Sequence, residues 1–157
     1  IPTKALLKSG QVFHYINQAE ELGLNKSEAS FEFPKIIKRS RGVANKMSKG
    51  IELLMKKNKI DVIFGTAKIA KGKKVNVTDK DGKSTEYSAS NIILAQGART
   101  RELPNIPQDG VKVIGYRKAM TLDKQPKSMN VVGSGAIGVD FTDIYTPIGS
   151  KVTIVAF

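Results

Sequence analysis

The stretch "NVVGSGAIGVDF", residues 130–141, constrains this chain more than any other. Met129 to Val132 read as a short buried strand, an amphipathic run begins after Gly135, and a second strand, "KVTIVAF", follows Gly149. Between a strand and a helix, the spacing Gly133-x-Gly135-x-x-Gly138 has three steric uses. The first glycine makes a tight turn, the second lets a pyrophosphate reach the backbone, and the third lets helix and strand pack closely. Unpaired N–H groups and the helix dipole then face the phosphates. A dinucleotide site is the reading of this spacing in its strand–turn–helix–strand context. The competing reading is a tight turn in an α/β domain that holds no ligand.

Upstream, the pattern is first helical and then extended. Residues 3–22 predict a helix, with Leu6, Val12, Phe13, Ile16 and Ala19 on one stripe and Gly23 as its stop. His14 lies beside that stripe among polar residues and reads as structural. A second helix is expected to start near Pro34, which suits a first-turn position, and to bury Ile36, Ile37, Val43, Met47, Ile51 and Leu54. "IDVIFG" (60–65) predicts a strand, and "KKVNVTDKDGKSTEYSA" (73–89) a hairpin turning at Asp81-Gly82. "NIILAQG" (91–97) has the continuous apolar character of a strand covered on both faces, and "VKVIGY" (111–116) reads as a further short strand. "TRELPNIPQDG" (100–110) is a connection. A second unit begins near Gln125-Pro126 and contains a single strand–helix–strand. One such unit buries too little surface to stand alone, so more sheet is expected to follow it in the parent protein. The fold class is α/β.

A length of 157 residues suits one domain, and 40% hydrophobic with 25% charged residues is ordinary for a soluble globular sequence. No apolar run approaches a membrane span, and no signal peptide precedes the first helix. With no cysteine there is neither a disulfide framework nor a thiol nucleophile here, and one histidine argues against a histidine-based metal site; no metal is expected. The formal charge of +12 is large, with lysines clustered in "KKNK" (56–59) and "KGKK" (71–74). Such patches attract nucleic acid or anionic surfaces. However, tryptophan is absent, and the six phenylalanines and four tyrosines do not interleave with the basic runs as a stacking platform requires. Solvated helix ends and turns are favoured over nucleic-acid binding.

Three segments in order resemble one family. "IPTKALLKS" at residues 1–9 resembles the segment just after the redox cysteine pair of dihydrolipoyl dehydrogenase, a class I pyridine nucleotide-disulfide oxidoreductase. "NIILAQGARTRELP" resembles the strand that ends its flavin domain, and "PKSMNVVGSGAIGVDF" through "GSKVTIVAF" resembles the start of its NAD domain. The resemblance covers essentially the whole chain. It implies a Rossmann-like, three-layer FAD/NAD(P)-binding fold with a small antiparallel hairpin element and incomplete domains. Residues 1–123 would be the C-terminal portion of the FAD-binding domain, and 124–157 the first βαβ of the NAD-binding domain. The implied cofactors are FAD and NAD. The implied partner is the dihydrolipoamide-bearing component of 2-oxo acid dehydrogenase complexes, and the implied intact enzyme is a cytoplasmic homodimer with no membrane association. The chain would be a middle piece, roughly a third of that enzyme, without the cysteine pair of its redox-active centre, the flavin pyrophosphate fingerprint or the histidine base. His14 lies in the wrong segment to be that base.

The resemblance also carries individual residues. Lys4 matches a lysine beside flavin N5, ion-paired to an acid that falls on Asp140; these two are the catalytic candidates. A cation beside N5 stabilises the reduced, anionic flavin. Ala67 matches a backbone contact to the adenine, and Gln96, Gly97 and Ala98 match a flavin contact. Gly133, Ser134, Gly135, Ala136, Ile137, Gly138, Val139 and Asp140 match the NAD loop, and Ala156 the ribose position. Departures cluster here. Gln96 stands where the family usually has threonine, Asp140 and Ala156 where it has glutamate, Thr142 where it has alanine or glycine, and Asp143 where it has a neutral residue. Pro147 is placed late in the helix, where its ring would oppose the carbonyl of Asp143. Decayed function, engineering and the sequence assignment itself each account for such a cluster. The competing function is a non-catalytic basic module, or a decayed fragment, that engages an anionic partner.

Overall fold

Pro2 sits where the missing proline N–H costs nothing, and helix α1 runs from there to Asn17. In the computed structural model, which describes residues 1–26 and 28–156, this helix is shorter than the expected 3–22. Regular turns stop at Gln18, and Ala19–Leu22 forms a 3₁₀ turn instead. Gly23 then ends it, its N–H donating to the carbonyl of Glu20. Helix α2 spans Phe33–Lys57. Strands β1 (Thr66–Ala70), β2 (Lys74–Thr78) and β3 (Ser84–Ser88) form an antiparallel sheet in that order. A short helix α3 (Tyr116–Ala119) precedes β4 (Ser128–Val132), α4 (Ala136–Tyr145) and β5 (Lys151–Val155), and β4 pairs with β5 in parallel. No helix among the described residues is long and apolar enough to cross a membrane.

The chain forms two compact units, Ile1–Lys49 with the stretch from Thr100 onward, and Gly50–Arg99. The core of the first is Leu6, Phe33, Ala119, Met120, Phe141, Ile144, Tyr145 and Ile148. The Phe141 and Tyr145 rings stack with centroids 6.4 Å apart, and Phe33 lies 6.1 Å from Tyr145. Helices α1 and α4 approach closely at Gly10, where an added Cβ would sit 3.4 Å from the carbonyl oxygen of Ile144. Arg39 joins α2 to α1, donating to the carbonyl of Ala5 at 2.7 Å.

Three expected strands are not strands. Residues 60–65, 91–97 and 111–116 have no ladder partner among the described residues, and Phe64, Ile93 and Val111 are 82%, 91% and 81% exposed. An extended apolar run becomes a strand only when a neighbour takes its backbone hydrogen bonds. In the third segment the first three N–H groups are already engaged. The Asp109 carboxylate accepts bonds from Val111, Lys112 and Val113 at 2.8 Å each, which holds its pKa below the ordinary value. The hairpin forms as expected, with Gly82 in the left-handed region at φ +82° and the Asp79 carboxylate bracing the turn through the N–H groups of Asp81 and Lys83. Strand β1, directly after the expected 60–65 strand, is an addition to the sequence reading. The placement of Pro147 late in the helix is also corrected: α4 ends at Tyr145, so the proline lies two residues beyond it. Lacking an N–H, it cannot supply the bond that another regular turn requires.

Candidate functional site

The site is built where β4 meets α4. Strand register pairs Val132 with Val155, and the next N–H, that of Gly133, donates to the carbonyl of Val155 at 2.8 Å. This bond sets the glycine loop against the C-terminal end of β5, the edge where parallel sheets bind ligands. Gly133 has φ +112°, which side chains rarely adopt. Gly138 is fixed by crowding: a Cβ there would fall 2.1 Å from the carbonyl oxygen of Gly133 and 3.3 Å from Cγ1 of Val131. Gly135 differs from both. It caps α4 in an extended conformation open to any residue, and an added Cβ would meet nothing within 4 Å. The fold requires Gly133 and Gly138, whereas nothing within the fold requires a glycine at 135.

The first-turn N–H groups of a helix have no intrahelical partners. In α4 they belong to a turn with no acidic side chain, and Ser134, Gly135, Ala136 and Ile137 are exposed. Val139, whose N–H donates to the carbonyl of Gly135, is exposed as well. The arrangement can receive an anionic group at the backbone.

Two residues that the sequence reading passed over hold this junction in place. Gln125 Nε2 donates to the carbonyl of Ile148 at 2.6 Å, and the buried Ser150 Oγ donates to the carbonyl of Pro126 at 2.6 Å. They tie the entry of β4 to the entry of β5. In sequence Gln125-Pro126 reads only as the start of the second unit, and nothing in its composition signals the clamp.

The candidate residues fall into separate places. Gly133 to Asp140 and Ala156 come together, with exposed Ala156 one position beyond the Val132–Val155 pair. Lys4 is exposed on α1, which packs against α4, and Asp140 is half-buried on α4. No ion pair joins Lys4 and Asp140; the two ion pairs among the described residues are Lys35–Glu32 and Lys74–Glu86. Thr142 turns its hydroxyl back to the carbonyl of Gly138 at 3.1 Å. Ala67 lies in β1, and Gln96, Gly97 and Ala98 follow as exposed irregular chain in the Gly50–Arg99 unit.

Comparison with known proteins places this geometry. The chain is 46% identical over 155 residues to the dihydrolipoyl dehydrogenases of Chlorobaculum parvum and Chlorobaculum tepidum. It is 40% identical to that of Zymomonas mobilis. Each match covers 99% of this chain and 33% of the relative, so the chain spans about a third of the length of these curated relatives. Among solved structures it is similar to LpdA of Mycobacterium tuberculosis, with a TM-score of 0.88 and 29% identity over 99% of this chain and 34% of that one. It is also similar to the HOCl-induced flavoprotein disulfide reductase RclA of Escherichia coli, solved as a copper(II) complex, with a TM-score of 0.75 and 26% identity over 99% of this chain and 32% of that one. The sequence profile of one family, described as pyridine nucleotide-disulphide oxidoreductase, matches residues 1–157, and the chain belongs to that family.

Proposed function

We propose that this chain is the central third of a flavin-dependent disulfide oxidoreductase that reoxidises dihydrolipoamide with NAD, a dihydrolipoyl dehydrogenase. The observation that carries the reading is the contrast within the glycine loop. Gly133 and Gly138 answer to backbone geometry, and Gly135 answers only to free space at the point where a pyrophosphate would approach. The residues present therefore fit a dinucleotide. The 46% identity to enzymes named dihydrolipoyl dehydrogenase supports the substrate assignment.

In this reading, residues 1–123 belong to the FAD-binding domain and 124–157 open the NAD-binding domain. Gly133 to Val139 would hold the NAD pyrophosphate through backbone N–H groups at the start of α4, and Ala156 would face the adenosine ribose. Lys4, Ala67, Gln96, Gly97 and Ala98 would border FAD. Bound FAD supplies the relay of two electrons from the dithiol to the nicotinamide. Lys4 would place positive charge where the flavin gains negative charge, and Asp140 would orient Lys4 once the two helices bring them within reach. The dihydrolipoamide would come from a component of 2-oxo acid dehydrogenase complexes, with the intact enzyme a cytoplasmic homodimer.

The test is made on the protein at the full length of its relatives. It should purify with a flavin absorbance spectrum and form NADH from NAD with dihydrolipoamide. Lys4→Ala should slow flavin reduction in stopped flow more than it weakens flavin retention, because the charge it meets develops on reduction. A colourless protein without dihydrolipoamide-dependent NADH formation refutes the reading, and an unchanged reduction rate removes Lys4 from the mechanism.

A further inference from the structure

We infer that the dinucleotide site of this chain does not select at the adenosine ribose, and that it takes the 2′-phosphorylated and the unphosphorylated pyridine dinucleotide with similar affinity. The inference rests on the dinucleotide reading of the glycine loop. In such a unit, the side chain at the end of the second strand chooses between cofactors. A carboxylate there accepts hydrogen bonds from the ribose hydroxyls and repels a 2′-phosphate, whereas a nearby arginine does the reverse.

The structure identifies that position. Val132 pairs with Val155, and the bond from Gly133 N–H to the carbonyl of Val155 draws the loop over the end of β5. The first residue past the strand is Ala156, and it is exposed. A methyl group neither accepts a hydrogen bond nor carries charge, and it leaves room for a phosphate. The helix turn facing the loop carries no acid that could replace the missing repulsion. It carries no arginine or lysine either: residues 133–139 are Gly, Ser, Gly, Ala, Ile, Gly and Val. Ala156 and the loop therefore supply neither form of selection, while the pyrophosphate contacts, which are common to the two dinucleotides, remain. The chain's charge of +12 adds a field that does not disfavour the more anionic ligand.

The experiment uses the full-length protein and measures equilibrium binding of NAD and of NADP by calorimetry, separately from turnover. The two dissociation constants should agree within about threefold. Ala156→Glu should tighten NAD by about tenfold or more while leaving NADP no tighter, as expected for one charge-assisted hydrogen-bonding group. Ala156→Arg should move the ratio the other way. Circular dichroism checks the fold of each variant, and if one fails to fold, the unsubstituted ratio and the other variant decide. A preference for one dinucleotide above about tenfold in the unsubstituted protein, or an unchanged ratio in both variants, overturns the inference and leaves the glycine loop's role intact. Absence of binding by either dinucleotide overturns the reading of the loop, and the inference with it.

Discussion

In the unit formed by Ile1–Lys49 and the stretch from Thr100 onward, Leu6 and Tyr145 keep 2% and 1% of their surface in contact with water. In Gly50–Arg99 no residue is buried, although Ile60, Val62, Ile63, Phe64, Ile93 and Leu94 are all large and apolar. Apolar content is therefore not what separates the two. The first unit contains helices whose apolar stripes meet one another, so α1, α4 and the start of α2 enclose a common core. The second has an antiparallel sheet of three five-residue strands, held by its ladders and by the turn at Asp79. A three-stranded sheet with both faces wet gains register from hydrogen bonding but little from burial. Geometry can thus be well specified in a region that contributes little hydrophobic stabilisation.

The largest effect that tests this contrast is Leu6→Ala. It removes a fully enclosed side chain of α1 from the core that it shares with Phe33 and Tyr145, and should cost about 2–5 kcal/mol in a denaturant titration. A loss below about 1 kcal/mol would mean that the first unit's core is not the main hydrophobic contribution to the fold.

The same contrast explains what could be read from the sequence. The hairpin and the β4–α4–β5 unit were legible because each brings its own partner within a few residues: Asp79 and Gly82 close the β2–β3 ladder, and α4 returns the chain to β5. Gly133 and Gly138 were legible for a related reason, since their constraints are local and backbone-based. The segments 60–65, 91–97 and 111–116 have the right composition for strands, but strand formation also depends on a neighbour that local pattern does not reveal. Thr66–Ala70 shows the converse: a sequence with little strand signal pairs because β2 lies beside it. In the site, side-chain reach was the illegible part. The Lys4–Asp140 pairing came from resemblance, and although their helices pack, the two charges do not meet. The clamp made by Gln125 and Ser150 depends on two loops meeting, which no spacing rule encodes.

A smaller effect sharpens the comparison within the packed unit. Tyr145 Oη donates to the carbonyl of Ala119 at 2.6 Å, and burial pushes the phenol up to about 12 from its ordinary 10.0. The folded state therefore holds this proton more tightly than the unfolded chain does. That contribution is complete below pH 10 and is lost as the pH rises toward about 12. Tyr145→Phe should cost about 1–3 kcal/mol at neutral pH, since it strands the acceptor and keeps the ring. Between pH 10 and 12 the parent protein should approach the variant in stability. Every other ionisable side chain is common to both proteins, so the difference between two denaturant titrations isolates Tyr145. A constant gap across the window would assign the cost to packing alone.

The smallest effect is expected in the second unit and bears most directly on the contrast. Ile93 is 91% exposed, within a run that has the composition of a buried strand. In the 157-residue chain, Ile93→Ser removes almost no buried surface, so stability should change by no more than about 0.5 kcal/mol. Self-association should fall, because an apolar segment is withdrawn from a surface rich in exposed isoleucine and leucine. In the protein at the full length of its relatives, where a neighbouring strand could take up Asn91–Gly97, the same substitution should cost about 2 kcal/mol or more. Paired denaturant titrations of both lengths, with sedimentation of the short chain, make the comparison. An equally small cost at both lengths would mean that the apolar run is a surface feature and not a strand awaiting its ladder.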